Sequence, residues 1–296
     1  MHFLHGELKA AQSSLTQGER PEKGGRCEGR LGDEAVENLL RGAKSQFKVL
    51  GVRVDTVQMP EVISRMETWI QQHERTHYIA VTGMHGVAEA QNSPFFKQVL
   101  NGADLVVPDG ISLVWMGRLR GQRLKRRVCG PDLMPVFCAQ TAEKGYRHFF
   151  YGGAPGVAGR VAEVLARRFA GLQLAGTYSP PFRPLTDPEE KEILTLIESS
   201  RPDVLWVGLS TPKQERWMYE HRDKLSVPVM VGVGAAFDFT IGRIKRAPPW
   251  IGQHGLEWLW RLVAEPRRLW RRDLVCGSKF VFSVTLELLG LRRFDS

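Results

Sequence analysis

Short apolar runs alternate with helix-like segments through most of the chain, and this alternation limits the fold more than any other feature. The runs are HYIAVT, ADLVVPDG, RHFFYGG, LQLAGTY, DVLWVGLS and VPVMVGVG. Nearly continuous apolar strands separated by helices are typical of a parallel sheet whose two faces are both covered. We therefore predict an α/β fold with a Rossmann-like, mostly parallel sheet, helices on both of its faces and a C-terminal helical appendage.

Local signals predict where several elements begin and end. The segment FKVLGVRVD, which starts at Phe47, alternates like a pair of strands, and Thr56 is predicted to cap a helix through EVISRMETWIQQH. One helix is expected over 87–100, and another is expected to open at Pro131, because proline is tolerated in the first turn. The remaining helices are expected around 112–119, 155–169, 188–199 and 212–224.

Composition divides the chain into three predicted parts. Residues 1–45 contain few bulky apolar side chains and are predicted to form a flexible tail. Residues 46–246 are expected to form the α/β core, and residues 247–296, which are basic and rich in tryptophan, a membrane-docking appendage. We predict neither a secretory signal nor a spanning helix, since such a helix needs about 20 largely apolar residues. The four widely spaced cysteines fit a reducing cytosol.

The net charge of +9 is concentrated in two stretches. Residues 243–272 contain eight Lys or Arg against two Glu, and the run RLRGQRLKRR over 118–127 contains six basic residues and no acidic one. Runs of this kind are often solvated faces. The alternative is a polyanionic partner, which would be a nucleic acid, phosphate groups or an anionic membrane.

Turn-forming and chemically reactive residues follow most of the predicted strands. In an open parallel sheet, ligands bind beyond the carboxyl ends of the strands, which all meet at one edge. Each segment alone could be an ordinary turn, but five at one edge favour a ligand-binding cleft. The segments are 82–85, 108–110, 152–156, 210–215 and 234–238.

The glycine-rich segment GGAPGVAG suggests phosphate binding at a helix N-terminus. It is not GxGxxG, and the following strand, LQLAGTY, lacks the carboxylate that binds a ribose, so a nicotinamide cofactor is disfavoured while a nucleotide diphosphate fits. The chain contains no GxxxxGK[ST] motif and no Asp-x-Asp pair at a strand end. We therefore predict no metal site, and we expect arginines and helix N-termini to balance the charge of a departing diphosphate.

The order of these motifs resembles the WecG/TagA/CpsF family of bacterial glycosyltransferases (glycosyltransferase family 26). The resemblance covers about residues 47–273. It rests on ADLVVPDGIS, RVCGPDLM, FFYGGAPGVA, DVLWVGLSTPKQERW and the long segment from VGVGAAFDF to EPRRLWRR.

The resemblance implies an inverting, metal-independent hexosyltransferase without a cofactor, peripheral on the cytoplasmic face of the cell membrane. Such enzymes move a sugar, often N-acetylmannosamine, from a UDP-sugar donor to a polyprenyl-diphosphate-linked sugar acceptor in cell-surface polysaccharide biosynthesis. The matched positions imply Asp109 as the catalytic base, with Thr82, Arg127 and Gln214 as further active-site residues. They imply donor binding by Gly152, Gly153, Gly234 and Asp238, and contacts to the acceptor diphosphate and the anionic membrane by Arg261, Arg267, Arg268 and Arg271. Self-association into a homo-oligomer is a further expectation that the family leaves open.

One position departs from the family's pattern. Met84 stands where the first motif usually has asparagine, followed here by His85, so N-acetylmannosamine is one candidate among related N-acetylhexosamines. Two other classes of function agree with part of the sequence. A nicotinamide-dependent oxidoreductase is disfavoured by the missing ribose-binding acid. A nucleic-acid-binding protein fits the basic charge, but no nucleic-acid-binding module is recognisable, and we predict no nucleic-acid partner.

Overall fold

The computed structural model describes residues 46–248, 251, 257–264, 267, 270 and 274–294. The predicted N-terminal tail lies outside these residues, as do Arg268 and Arg271 of the predicted docking segment. Arg261 belongs to a described helix, but its side chain is outside the description.

The predicted parallel sheet is present, and its strands are those that the apolar runs indicated. The first two strands, β1 (Gln46–Val49) and β2 (Val52–Asp55), form an antiparallel pair, as FKVLGVRVD predicted. The remaining six form one parallel sheet in the order β4-β3-β8-β7-β5-β6. They are β3 (His77–Thr82), β4 (Leu105–Pro108), β5 (Arg147–Gly152), β6 (Gln173–Tyr178), β7 (Val204–Gly208) and β8 (Val229–Gly232).

The strand order places the expected ligand-binding crevice in the middle of the sheet. From β3 the chain moves outward to β4, whereas from β5 it moves outward to β6 on the other side. The later strands β7 and β8 then fill the space between β5 and β3. The direction of winding therefore reverses near the centre, and this is where open α/β sheets bind ligands. Thr82 pairs with Pro108, and Gly152 with Gly208, so the carboxyl ends are level across the sheet.

Helices connect the strands and cover both faces of the sheet. They are α1 (Met59–Gln72), α2 (Met84–Asn92), α3 (Pro94–Asn101), α4 (Ile111–Leu119), α5 (Gly130–Thr141), α6 (Val157–Arg168), α7 (Asp187–Ser200), α8 (Lys213–His221), α9 (Ala236–Thr240), α10 (Glu257–Ala264) and α11 (Cys276–Leu288). Two apolar clusters, one on each face of the sheet, form the core. The predicted α/β class is therefore confirmed.

Two predicted helix boundaries are wrong. Helix α1 is capped by Gln58, whose side chain and Glu61 form a capping box, and Thr56 lies upstream of it. The single helix expected over 87–100 is two helices, because Ser93 adopts an extended conformation and caps α3 through a hydrogen bond from the Phe96 amide. Proline at position 94 forces this break, since it disfavours helical geometry in the residue before it.

The C-terminal helix α11 packs on the core. Its residues Phe280 and Val284 are buried in the same apolar cluster as Leu50. Near the end of the helix, Glu287 accepts a hydrogen bond from the Leu50 amide at 3.1 Å and forms an ion pair with Arg120. Within the part of the chain that the structure describes, no helix is both long and apolar enough to cross a bilayer.

Candidate active site

The ends of β3 and β4 bring two predicted site residues together. Asp109 follows β4 directly, and its amide donates a hydrogen bond to the carbonyl of Thr82 at 2.8 Å. Gly83 packs against the backbone of Asp109, at a distance of 3.7 Å from the position that a Cβ would occupy. The short loops after the two strands therefore form one wall of the crevice.

The hydroxyl of Thr82 is buried but makes no hydrogen bond within the described structure. Gly86, in the first turn of α2, lies against it: a Cβ at this position would be 2.0 Å from the Thr82 Oγ1 atom. The same Cβ would be 3.7 Å from the methyl group of Thr211, which follows β7. A buried hydroxyl without a hydrogen bond destabilises the folded protein by roughly 1–3 kcal/mol. The Thr82 hydroxyl is therefore suited to a hydrogen bond with a bound ligand.

Arg127 lies close to Asp109 at the same end of the sheet. The amide of Val128 donates to the carbonyl of Pro108 at 3.0 Å, which holds the segment carrying Arg127 beside the end of β4. The charges of Asp109 and Arg127 both affect the next residue, Cys129. Burial and the carboxylates of Asp132 and Asp109 raise the pKa of its thiol, whereas Arg127 lowers it. The charges of Asp109 and Arg127 therefore both act on the same buried thiol at this end of the sheet.

The N-terminus of α5 closes the crevice on the side of β8. A Cβ at Gly130 would come within 2.5 Å of the Val233 carbonyl, so only glycine permits this approach. Asp132, in the first turn, accepts a hydrogen bond from the Cys129 thiol at 2.9 Å and pairs with Arg246. Burial by itself would raise the pKa of Asp132, but Arg246 and the hydrogen bond from Cys129 hold it below its usual range.

Gln214 is buried and braces the loop after β8. Its amide oxygen accepts a hydrogen bond from the Gly234 amide at 2.9 Å, and its amide nitrogen donates to Glu215 at 3.0 Å. Glu215 is fully buried and also accepts a hydrogen bond from the Thr211 hydroxyl at 2.7 Å. Burial raises the pKa of Glu215, although both hydrogen bonds oppose the change. The four residues link the ends of β7 and β8.

The glycine-rich turn after β5 packs tightly against β7. Gly152 and Gly153 both have positive φ angles, 130° and 72°, and the Gly153 amide donates to the Gly208 carbonyl at 2.9 Å. A Cβ at Gly152 would lie 2.5 Å from that carbonyl, so the position requires glycine for close approach as well as for its φ angle. The turn leads into α6 and leaves the N-terminus of that helix at the sheet edge.

Asp238 lies in the short helix α9 at the same edge. Its carboxylate is 3.5 Å from the guanidinium of Arg243, and its carbonyl accepts hydrogen bonds from the amides of Arg243 and Ile244. Asp238 is thus held within a tight turn after β8. Of the predicted docking arginines, Arg267 is exposed to solvent.

The predicted site does not include Glu215, Cys129 or Glu89. Glu215 had a local signal, because it follows Gln214 in a strand-end segment, but its burial depends on packing between β7, β8 and α8. Cys129 gave no spacing signal, since it pairs with no other cysteine in sequence. Glu89 lies near His85 and Cys276, which are far apart in the chain.

Comparison with known proteins identifies the family. Residues 47–294 match the Glycosyl transferase WecG/TagA/CpsF family. The chain is also similar to the N-acetylglucosaminyldiphosphoundecaprenol N-acetyl-beta-D-mannosaminyltransferase of Bacillus spizizenii, with 33% identity over 73% of this chain and 82% of the relative. The proteins of the same name from Bacillus subtilis and Staphylococcus aureus are 30% and 26% identical, over 80% and 78% of this chain and 92% and 89% of theirs. The chain therefore belongs to the WecG/TagA/CpsF family of glycosyltransferases, as its motifs predicted.

Proposed function

We propose that this glycosyltransferase moves an N-acetylhexosamine from a UDP-sugar to a sugar acceptor on a polyprenyl diphosphate, with inversion at the anomeric carbon. The observation that carries the proposal is the meeting of the ends of β3 and β4, where the Asp109 amide bonds to the Thr82 carbonyl and the buried Thr82 hydroxyl has no hydrogen-bond partner within the described residues. The names of the three relatives support the acceptor class, because each names N-acetylglucosaminyl-diphosphoundecaprenol as the acceptor.

In the proposed reaction, Asp109 acts as the general base. Its carboxylate accepts the proton of an acceptor hydroxyl, whose oxygen attacks the anomeric carbon from the face opposite the diphosphate. The bond from that carbon to the diphosphate oxygen breaks, and UDP leaves with the bonding electrons. One such displacement inverts the configuration, and a positioned base contributes roughly 10²–10⁴-fold to its rate.

In the proposed mechanism, groups at the same edge of the sheet stabilise the negative charge of the leaving diphosphate. Arg127 lies near Asp109 and can form charge-assisted hydrogen bonds with phosphate oxygens. The turn containing Gly152 and Gly153 leads to the N-terminus of α6, whose amides carry partial positive charge. These groups give the proposed mechanism a route to stabilise UDP without a cation on the diphosphate. In this mechanism, Gln214 holds the loop that contains Gly234 in place. Asp238 stabilises the turn that follows this loop.

The donor sugar is proposed as N-acetylmannosamine or a close relative. All three relatives are named as N-acetylmannosaminyltransferases. Met84 stands where the family usually has asparagine, and a thioether cannot replace the hydrogen bonds of an amide. In this chain the Met84 side chain lies against Gly277 of α11. Other N-acetylhexosamines therefore belong beside N-acetylmannosamine among the donors to be tested.

We also propose that the protein works as a peripheral protein on the cytoplasmic face of the membrane. Helices α4 and α11 expose large apolar side chains, and Arg120, which directly follows α4, forms an ion pair with Glu287 of α11. Apolar side chains beside arginines suit the interface between headgroups and acyl chains. The exposed side chains are Trp115 and Leu119 on α4, and Val281, Phe282 and Leu288 on α11, with Trp258, Trp260 and Trp270 in the preceding segment. Self-association stays a prediction.

The activity is tested by offering the purified protein a panel of UDP-sugars with N-acetylglucosamine on a polyprenyl diphosphate, and detecting the product by mass. We expect one added N-acetylhexosamine per acceptor and release of UDP. The anomeric configuration of the product, read by NMR, should be opposite to that of the donor. The proposal would be contradicted if no sugar were transferred from any UDP-sugar and if NAD alone stabilised the protein in a thermal-shift assay.

Membrane docking is tested by substitution instead of truncation. Phe280 and Val284 of α11 are buried, so deleting the C-terminal segment would expose the core and obscure the result. Phe282→Ser removes an exposed apolar side chain from the same helix. It should reduce sedimentation with phosphatidylglycerol vesicles, whereas Leu196→Ser, on the exposed side of α7, should leave it unchanged. Equal sedimentation of both variants would exclude this surface as the docking site.

A further inference from the structure

Three side chains with metal-binding atoms meet where the C-terminal helix crosses α2. His85 and Glu89 are four residues apart on α2 and so lie on the same face of the helix. Cys276 begins α11, and its sulfur completes the group: the ligand atoms of the three side chains all lie within 4.8 Å of one another. An imidazole, a carboxylate and a thiolate are all ligands that Zn²⁺ accepts in proteins.

The two helices are held together by contacts that do not involve these three residues. Phe280 and Val284 anchor the middle of α11 in the core, and Glu287 anchors its end. At its beginning, Gly277 lies against Met84, so that a Cβ on this glycine would be in ordinary contact with the methionine methyl group at 3.4 Å. The fold therefore brings the ligand atoms together before any ion binds, which lowers the cost of forming a site.

We propose that His85, Glu89 and Cys276 bind a thiophilic divalent cation, with zinc as the reference ion, and that this ion ties the first turn of α11 to α2. Three protein ligands leave the fourth tetrahedral position for water. The thiol of Cys276 loses its proton to solvent as its sulfur bonds to the metal, so binding strengthens as the pH rises. The site goes beyond the proposed transfer reaction, because the ion has no role at the donor diphosphate.

The position of the cluster connects it to the catalytic crevice. Helix α2 begins directly after Gly83, which contacts the backbone of Asp109. An ion joining α2 to α11 would therefore fix the wall of the crevice to the segment that we propose docks on the membrane. We expect the ion to restrain α11 and to alter acceptor binding, without supplying a group to the reaction.

Metal binding is tested on the full chain, freed of metal by a chelator and reloaded with zinc. After gel filtration, one zinc ion per chain should remain, and Co²⁺ should give a thiolate-to-cobalt charge-transfer band. Loss of a residue that only holds a metal ligand in place typically weakens metal binding by roughly 10–100-fold. Cys276→Ser and Glu89→Gln each remove a ligand itself, so each should weaken zinc binding by at least this factor. Cys27→Ser leaves the same number of thiols as Cys276→Ser, and Glu163→Gln removes an exposed carboxylate on α6, so both serve as matched controls.

Two results would overturn the proposal. One is a wild-type protein that retains no zinc and shows no charge-transfer band. The other is equal zinc content in Cys276→Ser, Glu89→Gln and the controls, which would mean adventitious binding.

The restraint on α11 is tested by hydrogen exchange: zinc should slow exchange of the amides near Cys276 in the wild type and not in Cys276→Ser. Unchanged exchange in a zinc-loaded wild type would contradict the tie between the helices. Circular dichroism shows whether each variant is folded.

Discussion

Gly86→Ala places a methyl group where the hydroxyl of Thr82 now lies. The alanine Cβ would be 2.0 Å from the Thr82 Oγ1 atom, whereas real Cβ atoms essentially never approach another heavy atom closer than 3.0 Å. At least one of the two groups must therefore move by about 1 Å. Because Thr82 is buried at the end of β3, which has a neighbour on each side, the movement has to come from rotation of its side chain or from displacement of α2.

The expected cost follows from this overlap. Inserting a methyl group into a well-packed site usually destabilises a protein by about 1–3 kcal/mol. The next atom of Thr82, its Cβ, would be 3.4 Å from the alanine methyl, which is ordinary contact. Removing the hydroxyl with Thr82→Ala should therefore abolish most of the penalty. We expect the two substitutions to be coupled by about 1–3 kcal/mol, with the double variant more stable than the sum of the single variants predicts.

Urea denaturation of the four proteins measures this coupling directly. UDP-sugar turnover measured on the same samples adds a second expectation: Gly86→Ala should lower activity even where the protein is fully folded, because the Thr82 hydroxyl is displaced from the crevice. Additive stability changes, or a stable Gly86→Ala variant with wild-type activity, would refute the close contact between α2 and Thr82.

Three further substitutions test other parts of the structure. Asp109→Asn should lower turnover roughly 10²–10⁴-fold and leave UDP affinity nearly unchanged in calorimetry, whereas an equal loss of both would make Asp109 a binding residue. His148 accepts a hydrogen bond from Trp206, and burial lowers its pKa to about 4. Because the unfolded chain takes up a proton at this histidine more readily than the folded protein, the stability of the wild type should fall as the pH drops from about 6.5 towards 4. His148→Gln keeps the acceptor and should flatten that slope in urea titrations, and an unchanged slope would exclude His148 as its source. Glu287→Ala removes the partner of Arg120 and should destabilise the protein by roughly 1–3 kcal/mol, against little change for Glu220→Ala on α8.

Much of the sheet could be predicted because each of its strands is signalled by its own residues. Runs such as HYIAVT and DVLWVG are apolar throughout, and no partner strand is needed to recognise them. The helix boundaries were less predictable, since Thr56 and Gln58 are both polar residues before an apolar pattern, and only the backbone decides which one caps α1. The break at Ser93 had a local signal in the following proline, which the helical periodicity around it obscured.

The predicted site depended on one inference, that the segments after parallel strands meet at one edge. It predicted that the segments of Thr82 and Asp109 meet, and a backbone hydrogen bond joins them, whereas Arg127 is in none of these segments and was predicted from the family resemblance alone. It could not show that the amide of Gln214 is bonded to Gly234, because the spacing of residues does not fix the direction of a side chain. Nor could it find the cluster of His85 and Cys276, whose contact depends on how α11 packs across the fold.

Helix α2 links these separate features, because it contacts both Thr82 of the proposed site and the C-terminal helix. In its first turn, Gly86 is pressed against the hydroxyl of Thr82, while Met84 lies against the beginning of α11. Because Met84 and Gly86 are two residues apart in one packed helix turn, we expect a displacement of α11 to shift Gly86 as well. Since Gly86 leaves no free space beside the Thr82 hydroxyl, even a small shift changes the position of that group. The proposed membrane contact and metal binding at α11 would then act on the Thr82 hydroxyl through packed side chains that are already in contact.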